Sequence, residues 1–270
     1  MDQDKGLYQN GFFVLKNHVT RMTAVSMSMI ALMFLFALIS QLIGMNYEIR
    51  YRAIWTEESL LTKEWAFLIV GALLFCAVVF PFELGIRRWF YGVSVGKEWP
   101  LRYIFSMFDT PRMYRKALWL RLSLGMKKLF WYIVCLLPSF LVKGLLEVLS
   151  YPGNALLGTL YGMLYVIWIL FMIGGFVLAF YLNLKYYLVY YLWFETPSLK
   201  MSEAVRLSAR CMRGRRRKAL TAYFALIPLV LASVLVFPII ALIPAAYILS
   251  SLQGREILEL GQKDGKVCLD

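Results

Sequence analysis

Apolar residues in this chain come in runs of nearly uniform character, with polar and charged residues confined to the stretches between them. Hydrocarbon about 30 Å thick is crossed by roughly 20 apolar residues in a helix. Four runs reach that length: residues 22–45, 65–86, 129–149 and 156–184, the last continuing through a tyrosine-rich stretch to Phe194. Trp65, Trp131, Tyr132, Tyr186, Tyr187, Tyr190, Tyr191 and Trp193 gather toward the ends of these runs, where amphipathic rings sit at a membrane–water boundary. A fifth run, 219–252, would overshoot the bilayer as one helix and is punctuated by Pro228, Pro238 and Pro244. Proline lacks the N–H that the helical ladder needs, so Pro238 is expected to mark a turn between two short spans, 219–237 and 239–252. One kinked helix is the alternative. The pattern predicts an all-α, polytopic transmembrane helical bundle of about six spans, or five, with residues 1–270 as a single integral membrane domain.

The connections divide by charge. Residues 87–128 carry ten Lys and Arg against Glu98 and Asp109, and 194–218 carry eight against Glu195 and Glu203. Residues 46–63 hold three of each sign, and the turn after the third run has only Lys143 and Glu147. Basic loops stay on the cytoplasmic side. Both are therefore expected inside, together with an N-terminus that carries Lys5, Lys16 and Arg21, while 46–63 and 144–156 face out.

Each basic loop also carries an amphipathic pattern. Thr110 before Pro111 reads as an N-cap followed by proline at the first helical position. Tyr114, Leu118, Leu122 and Met126 then recur every four residues beside Arg115, Arg121 and Lys127. A helix at the headgroup level is expected here, with the chain turning inward at Leu129. In the second loop Pro197 ends what precedes it. Met201, Ala204, Val205, Ser208 and Met212 form a helical stripe, Arg206, Arg210 and Arg213 fall outside it, and Gly214 is placed as a C-terminal cap, so Leu199 to Lys218 is expected to be a second interfacial helix with a basic terminus that binds anionic lipid.

Composition agrees: 61% of residues are hydrophobic and 17% charged, against roughly 45–50% and 25% in soluble domains. The net charge of +13 is strung between apolar runs, which favours membrane phosphates over nucleic acid as its partner. Cys76, Cys135, Cys211 and Cys268 lie far apart with no C-x-x-C spacing, so neither a disulfide framework nor a zinc site is expected. The first run is span-length without a small-residue cleavage site, and is expected to remain as a helix rather than be removed as a signal peptide.

Three segments carry a family likeness. Phe82, Glu83, Leu84 and Gly85 precede the basic aromatic stretch Arg87, Arg88, Trp89 and Phe90; a Phe-containing stretch with a tyrosine and a new helix spans Ile104 to Lys116; and Tyr186 to Phe194 leads through Glu195, Thr196 and Pro197 to Glu203, Ala204, Ser208, Met212 and Gly214. In this order, over about Phe80 to Ala222, they resemble a bacterial family of multi-pass membrane proteins, domain of unknown function 975. Gly174 and Gly175 stand where that family tends to have Pro-Gly, and the proline-broken run replaces its glycine-rich stretch after Ala222. The resemblance implies an integral membrane protein of a bacterial cell membrane and no activity.

Candidate chemistry is sparse. His18 is the single histidine, which leaves no His-pair metal site and no base for a Ser-His-Asp triad. No P-loop, G-x-S-x-G or G-x-G-x-x-G is present, and no cofactor is expected. Glu83, four residues before Arg87, reads as an i,i+4 ion pair near the cytoplasmic end of its span. Lys185 is expected to snorkel, and Asn183 and Gln41 to hydrogen-bond between helices. Gly71, Gly174 and Gly175 would permit close packing, and Gly158 and Gly162 have G-x-x-x-G spacing. His18, Glu83 and each cysteine are expected to be individually dispensable for insertion. The functional expectation is a non-enzymatic membrane scaffold, accessory or envelope-homeostasis component. Its basic face would contact anionic headgroups through Arg115, Lys116, Lys127, Lys128, Arg213, Arg215, Arg216, Arg217 and Lys218. The alternative is a transporter or channel subunit for an apolar or lipid-like solute, favoured by the proline- and glycine-interrupted runs.

Overall fold

A computed structural model describes residues 2–42, 62–148, 155–232 and 238–263. The order of elements is α1 (Asp2–Leu42), α2 (Thr62–Ser94), a 3-10 turn (Leu101–Phe105), α3 (Pro111–Val148), α4 (Ala155–Asn183), a second 3-10 turn (Leu184–Tyr186), α5 (Val189–Glu195), α6 (Met201–Cys211), α7 (Arg216–Ala232) and α8 (Pro238–Lys263). The described residues contain no strand. Four stretches among them are long and apolar enough to cross a membrane: His18–Ile39, Ile69–Ser94, Pro111–Val148 and Gly158–Glu195.

The helices do not stop where the apolar runs stop, because loss of apolarity ends a span while only a breaker or a cap ends a helix. The first run lies in a helix that already begins at Asp2 and is kinked at His18 (φ −123, ψ 17). α2 continues past residue 86 to Ser94, and the following turn holds Gly96 at φ 80. Thr110 caps α3 as expected, its Oγ1 accepting from Met113 N at 3.3 Å. The expected inward turn at Leu129, however, is absent. α3 is one helix of 38 residues, roughly 57 Å long at 1.5 Å per residue, so 110–128 is not a separate helix but the first half of this one. The fifth run holds two helices, with Pro238 the first residue of α8; residues 233–237 lie outside those described.

The chain divides into two compact units, one of Met1–Arg121 with Leu220–Glu256 and one of Leu122–Ala219 with Ile257–Asp270. In the first, Met22 and Val25 of α1, five residues of α2 between Phe82 and Val93, Ile104 and Ile248 form a buried cluster. After α2 the chain folds back along it. Trp89 Nε1 donates to Trp99 O at 3.2 Å, the Phe82 and Phe105 rings lie 5.4 Å apart, and Tyr114 OH donates to Ala77 O at 2.9 Å. Gly85 sits where this returning backbone comes closest: a Cβ there would lie 1.9 Å from Ile104 O. Glu83, Leu84 and Gly85 all lie in the interior of α2. Toward the other end of α2, Ile69, Val70, Leu73 and Leu74 are each more than half exposed.

In the second unit α3 and α4 run antiparallel, with Asn183 opposite Lys128 and Gly175 opposite Cys135. A Cβ on Gly175 would come within 2.7 Å of Cys135 O, whereas Gly158, Gly162 and Gly174 have nothing within 4 Å. Gly175, Ala179 and Asn183, one turn apart, form the buried seam of α4. Tyr186, Tyr190, Tyr191 and Trp193, expected at a membrane boundary, are instead 4–6% exposed in the interior of this unit. The reason is packing: Tyr186 lies in the 3-10 turn after Asn183 and Tyr190, Tyr191 and Trp193 in α5, and both segments pack against α6.

Candidate functional site

The break in α4 is the feature around which the second unit's polar groups collect. No proline or glycine causes it. Ser208 of α6, fully buried, donates to Lys185 O at 2.7 Å and accepts from Leu188 N at 3.3 Å. One hydroxyl thus meets a carbonyl and an amide at the interruption of the ladder, groups that are costly to leave unpaired when buried. Asn183, the last residue before the break, donates through Nδ2 to Lys128 O at 3.4 Å; its Oδ1 is buried without a hydrogen-bond partner. Trp131 Nε1 donates to Tyr186 OH at 3.3 Å, and Lys185 Nζ rests 4.0 Å from the Trp131 ring centre and 4.9 Å from that of Tyr186. Lys185 is thus held on aromatic faces, a favourable place for an ammonium.

The predicted stripe of α6 faces protein. Ala204, Ser208 and Met212 are buried, while Arg206, Arg210 and Arg213 are fully or largely on the open side, and Gly214 takes φ 80 in the turn after the helix. Met201 and Val205, the other two positions of the stripe, are half-buried. Of the nine basic residues singled out above, Arg115 and Lys116 are exposed near the start of α3, Lys127 and Lys128 are half-buried, and Lys128 lies 6.0 Å from the Tyr190 ring. The basic run splits: Arg213 and Arg217 are exposed, Arg215 turns in to donate to Leu260 O at 3.1 Å, Arg216 lies 4.9 Å from the Tyr181 ring, and Lys218 is half-buried.

The first unit holds a buried acid. Glu83, 8% exposed, accepts from Arg87 Nε at 2.9 Å and Nη2 at 2.8 Å, the pair expected from spacing. Its other oxygen pairs with Arg121 of α3, a partner sequence spacing does not reveal. Arg87 lies 5.2 Å from the Tyr247 ring, which stacks on Phe90 at 5.1 Å. One carboxylate therefore ties α2 to α3 and sets a guanidinium on α8. Glu83 is thus the shared partner of two half-buried cations from different helices. His18 lines an open polar cavity of about 300 Å³ with Thr20, Arg21 and Glu98. Among the described residues no three His, Cys, Asp or Glu gather as metal ligands.

The chain is thus an all-helical protein with four membrane-length helices among the described residues. No protein family, curated protein or solved structure matches it.

Proposed function

We propose that this is a polytopic integral protein of a bacterial-type cytoplasmic membrane. In this reading it acts without catalysis, as a scaffold, accessory or envelope-homeostasis component whose basic cytoplasmic face engages anionic headgroups. The observation that carries the membrane reading is the bareness of its apolar helices. Only 11% of the most apolar stretch of Pro111–Val148, and 11% of that of Gly158–Glu195, is buried within the protein. Leu73, Phe140, Leu141, Leu170 and Val177 are 60–65% exposed. Apolar surface left in water costs about 25 cal/mol per Å², and soluble monomers rarely carry patches of this extent; hydrocarbon removes the cost. The charge imbalance of 87–128 and 194–218 supports a cytoplasmic placement of both segments and of the N-terminus.

Six spans, with α7 and α8 as the last two, return the C-terminus to the cytoplasm. A fluorescent protein fused to Asp270 is expected to fluoresce and alkaline phosphatase fused there to be inactive; the reverse result means five spans. A cysteine placed at Glu57 is expected to label in intact cells, and labelling only after membrane disruption overturns the orientation.

A transporter or channel subunit for an apolar solute is the second reading, favoured by the broken α4 and by Pro81 and Pro138 inside α2 and α3. Solute flux in proteoliposomes separates it from the first.

A further inference from the structure

At the end of the α3–α4 pair remote from the break, a cavity of about 150 Å³ opens between the helices, lined by Lys143, Leu146, Glu147, Tyr161, Tyr165 and Trp168. The three aromatic residues follow at i, i+4 and i+7, one face of α4. Tyr165 and Trp168 stand 5.5 Å apart at 41°, two walls of a corner. Leu146, 6% exposed, closes the floor. At the rim Lys143 Nζ is 3.7 Å from Glu147 Oε1, with both side chains more than half exposed. That separation is well beyond the roughly 2.7–2.9 Å of a charge-assisted hydrogen bond, and both charged ends are open to an approaching ligand.

We propose that this cleft binds an ammonium group carried beside a phosphate, as in the phosphocholine or phosphoethanolamine headgroup of a membrane phospholipid. The ammonium lies against the faces of Tyr161, Tyr165 and Trp168 with Glu147 near it, and the phosphate meets Lys143. Aromatic corners attract cations, quaternary ones especially, and a cavity of about 150 Å³ is large enough for a benzene-sized group. The paired charges select a zwitterion: a simple anion would face Glu147, and a simple cation Lys143. Both ionisable residues lie in the last turns of α3, next to the connection expected to face out, the level at which lipid headgroups sit. The inference rests on the membrane reading only for the source of the headgroup; the cleft stands apart from the basic face proposed above.

The full-length protein in dodecyl maltoside is titrated with phosphocholine, tetramethylammonium and inorganic phosphate, followed by ligand-observed NMR. Phosphocholine is expected to bind at least threefold tighter than tetramethylammonium, and inorganic phosphate not measurably. Trp168→Leu is expected to weaken phosphocholine at least fivefold. Lys143→Gln, at an exposed position that leaves packing intact, is expected to remove the advantage of phosphocholine over tetramethylammonium. Phosphocholine affinity unchanged in both variants overturns the site. In nanodiscs of mixed lipid, the wild type is expected to retain phosphatidylcholine or phosphatidylethanolamine over phosphatidylglycerol, and Trp168→Leu to lose that preference. No preference in the wild type overturns the lipid as the source. Failure of the membrane reading is separately visible as extraction of the protein from membranes by alkaline carbonate.

Discussion

Single positions in this chain are decided by how closely another backbone approaches. Gly85 and Gly125 look alike in sequence, both being glycines inside long helices, yet a Cβ at Gly85 meets Ile104 O at 1.9 Å and one at Gly125 meets nothing within 4 Å. Gly85→Ala is expected to destabilise the protein by about 1–3 kcal/mol, the usual cost of forcing an atom into a packed interior. Gly125→Ala is expected to stabilise it by up to about 1 kcal/mol through helix propensity. Thermal melting of the detergent-solubilised protein, read by fluorescence size exclusion, checks both signs. The same contrast limits what sequence conveys about Glu83. Its bond to Arg87 is written in i,i+4 spacing, while Arg121 reaches it from another helix that no spacing rule connects to it.

At the level of elements, existence was legible in the sequence and extent was not. The apolar runs locate α1 to α4, and Thr110, Pro111 and Gly214 mark helix boundaries as their backbone chemistry requires. The joins are different. The chain between 110 and 129 carries no breaker strong enough to end a helix, so α3 runs through a place where polarity alone suggested a turn. Conversely, α4 breaks at Asn183 without a local breaker, because the groups that stabilise the break come from α6. The candidate site follows the same division: the basic runs were visible, but which cations turn inward depends on Tyr181, Tyr190 and Leu260, remote in sequence from them. Ser208→Ala leaves Lys185 O and Leu188 N without that hydroxyl, and is expected to destabilise the protein by about 1–3 kcal/mol. Ser208→Thr, which keeps the hydroxyl, is expected to be milder if its methyl is accommodated. Melting temperatures of the two variants check the order.

For the molecule as a whole, the split of the basic run into exposed and inward residues separates lipid attraction from folding. Under the lipid-binding proposal, Arg213→Gln with Arg217→Gln is expected to reduce co-purifying phosphatidylglycerol, at about 1 kcal/mol of surface attraction per charge, with little change in melting temperature. Arg215→Gln with Arg216→Gln is expected to lower the melting temperature more than the lipid count; mass spectrometry and thermal melting distinguish the two effects. The hydroxyl that holds the α4 break has a consequence in time as well. Ser208 is 20 residues beyond Leu188 and 23 beyond Lys185. At about 5–20 residues per second of synthesis, the ribosome delivers it roughly one to five seconds after the segment it stabilises. During that interval the nascent chain has its apolar and aromatic run to Phe194, with Asn183 and Lys185 its polar members near the break, and lacks the serine. The newborn protein is thus expected to carry α4 as a longer helix and to acquire its break only when α6 emerges, so that birth order, and not just the finished sequence, shapes this part of the molecule.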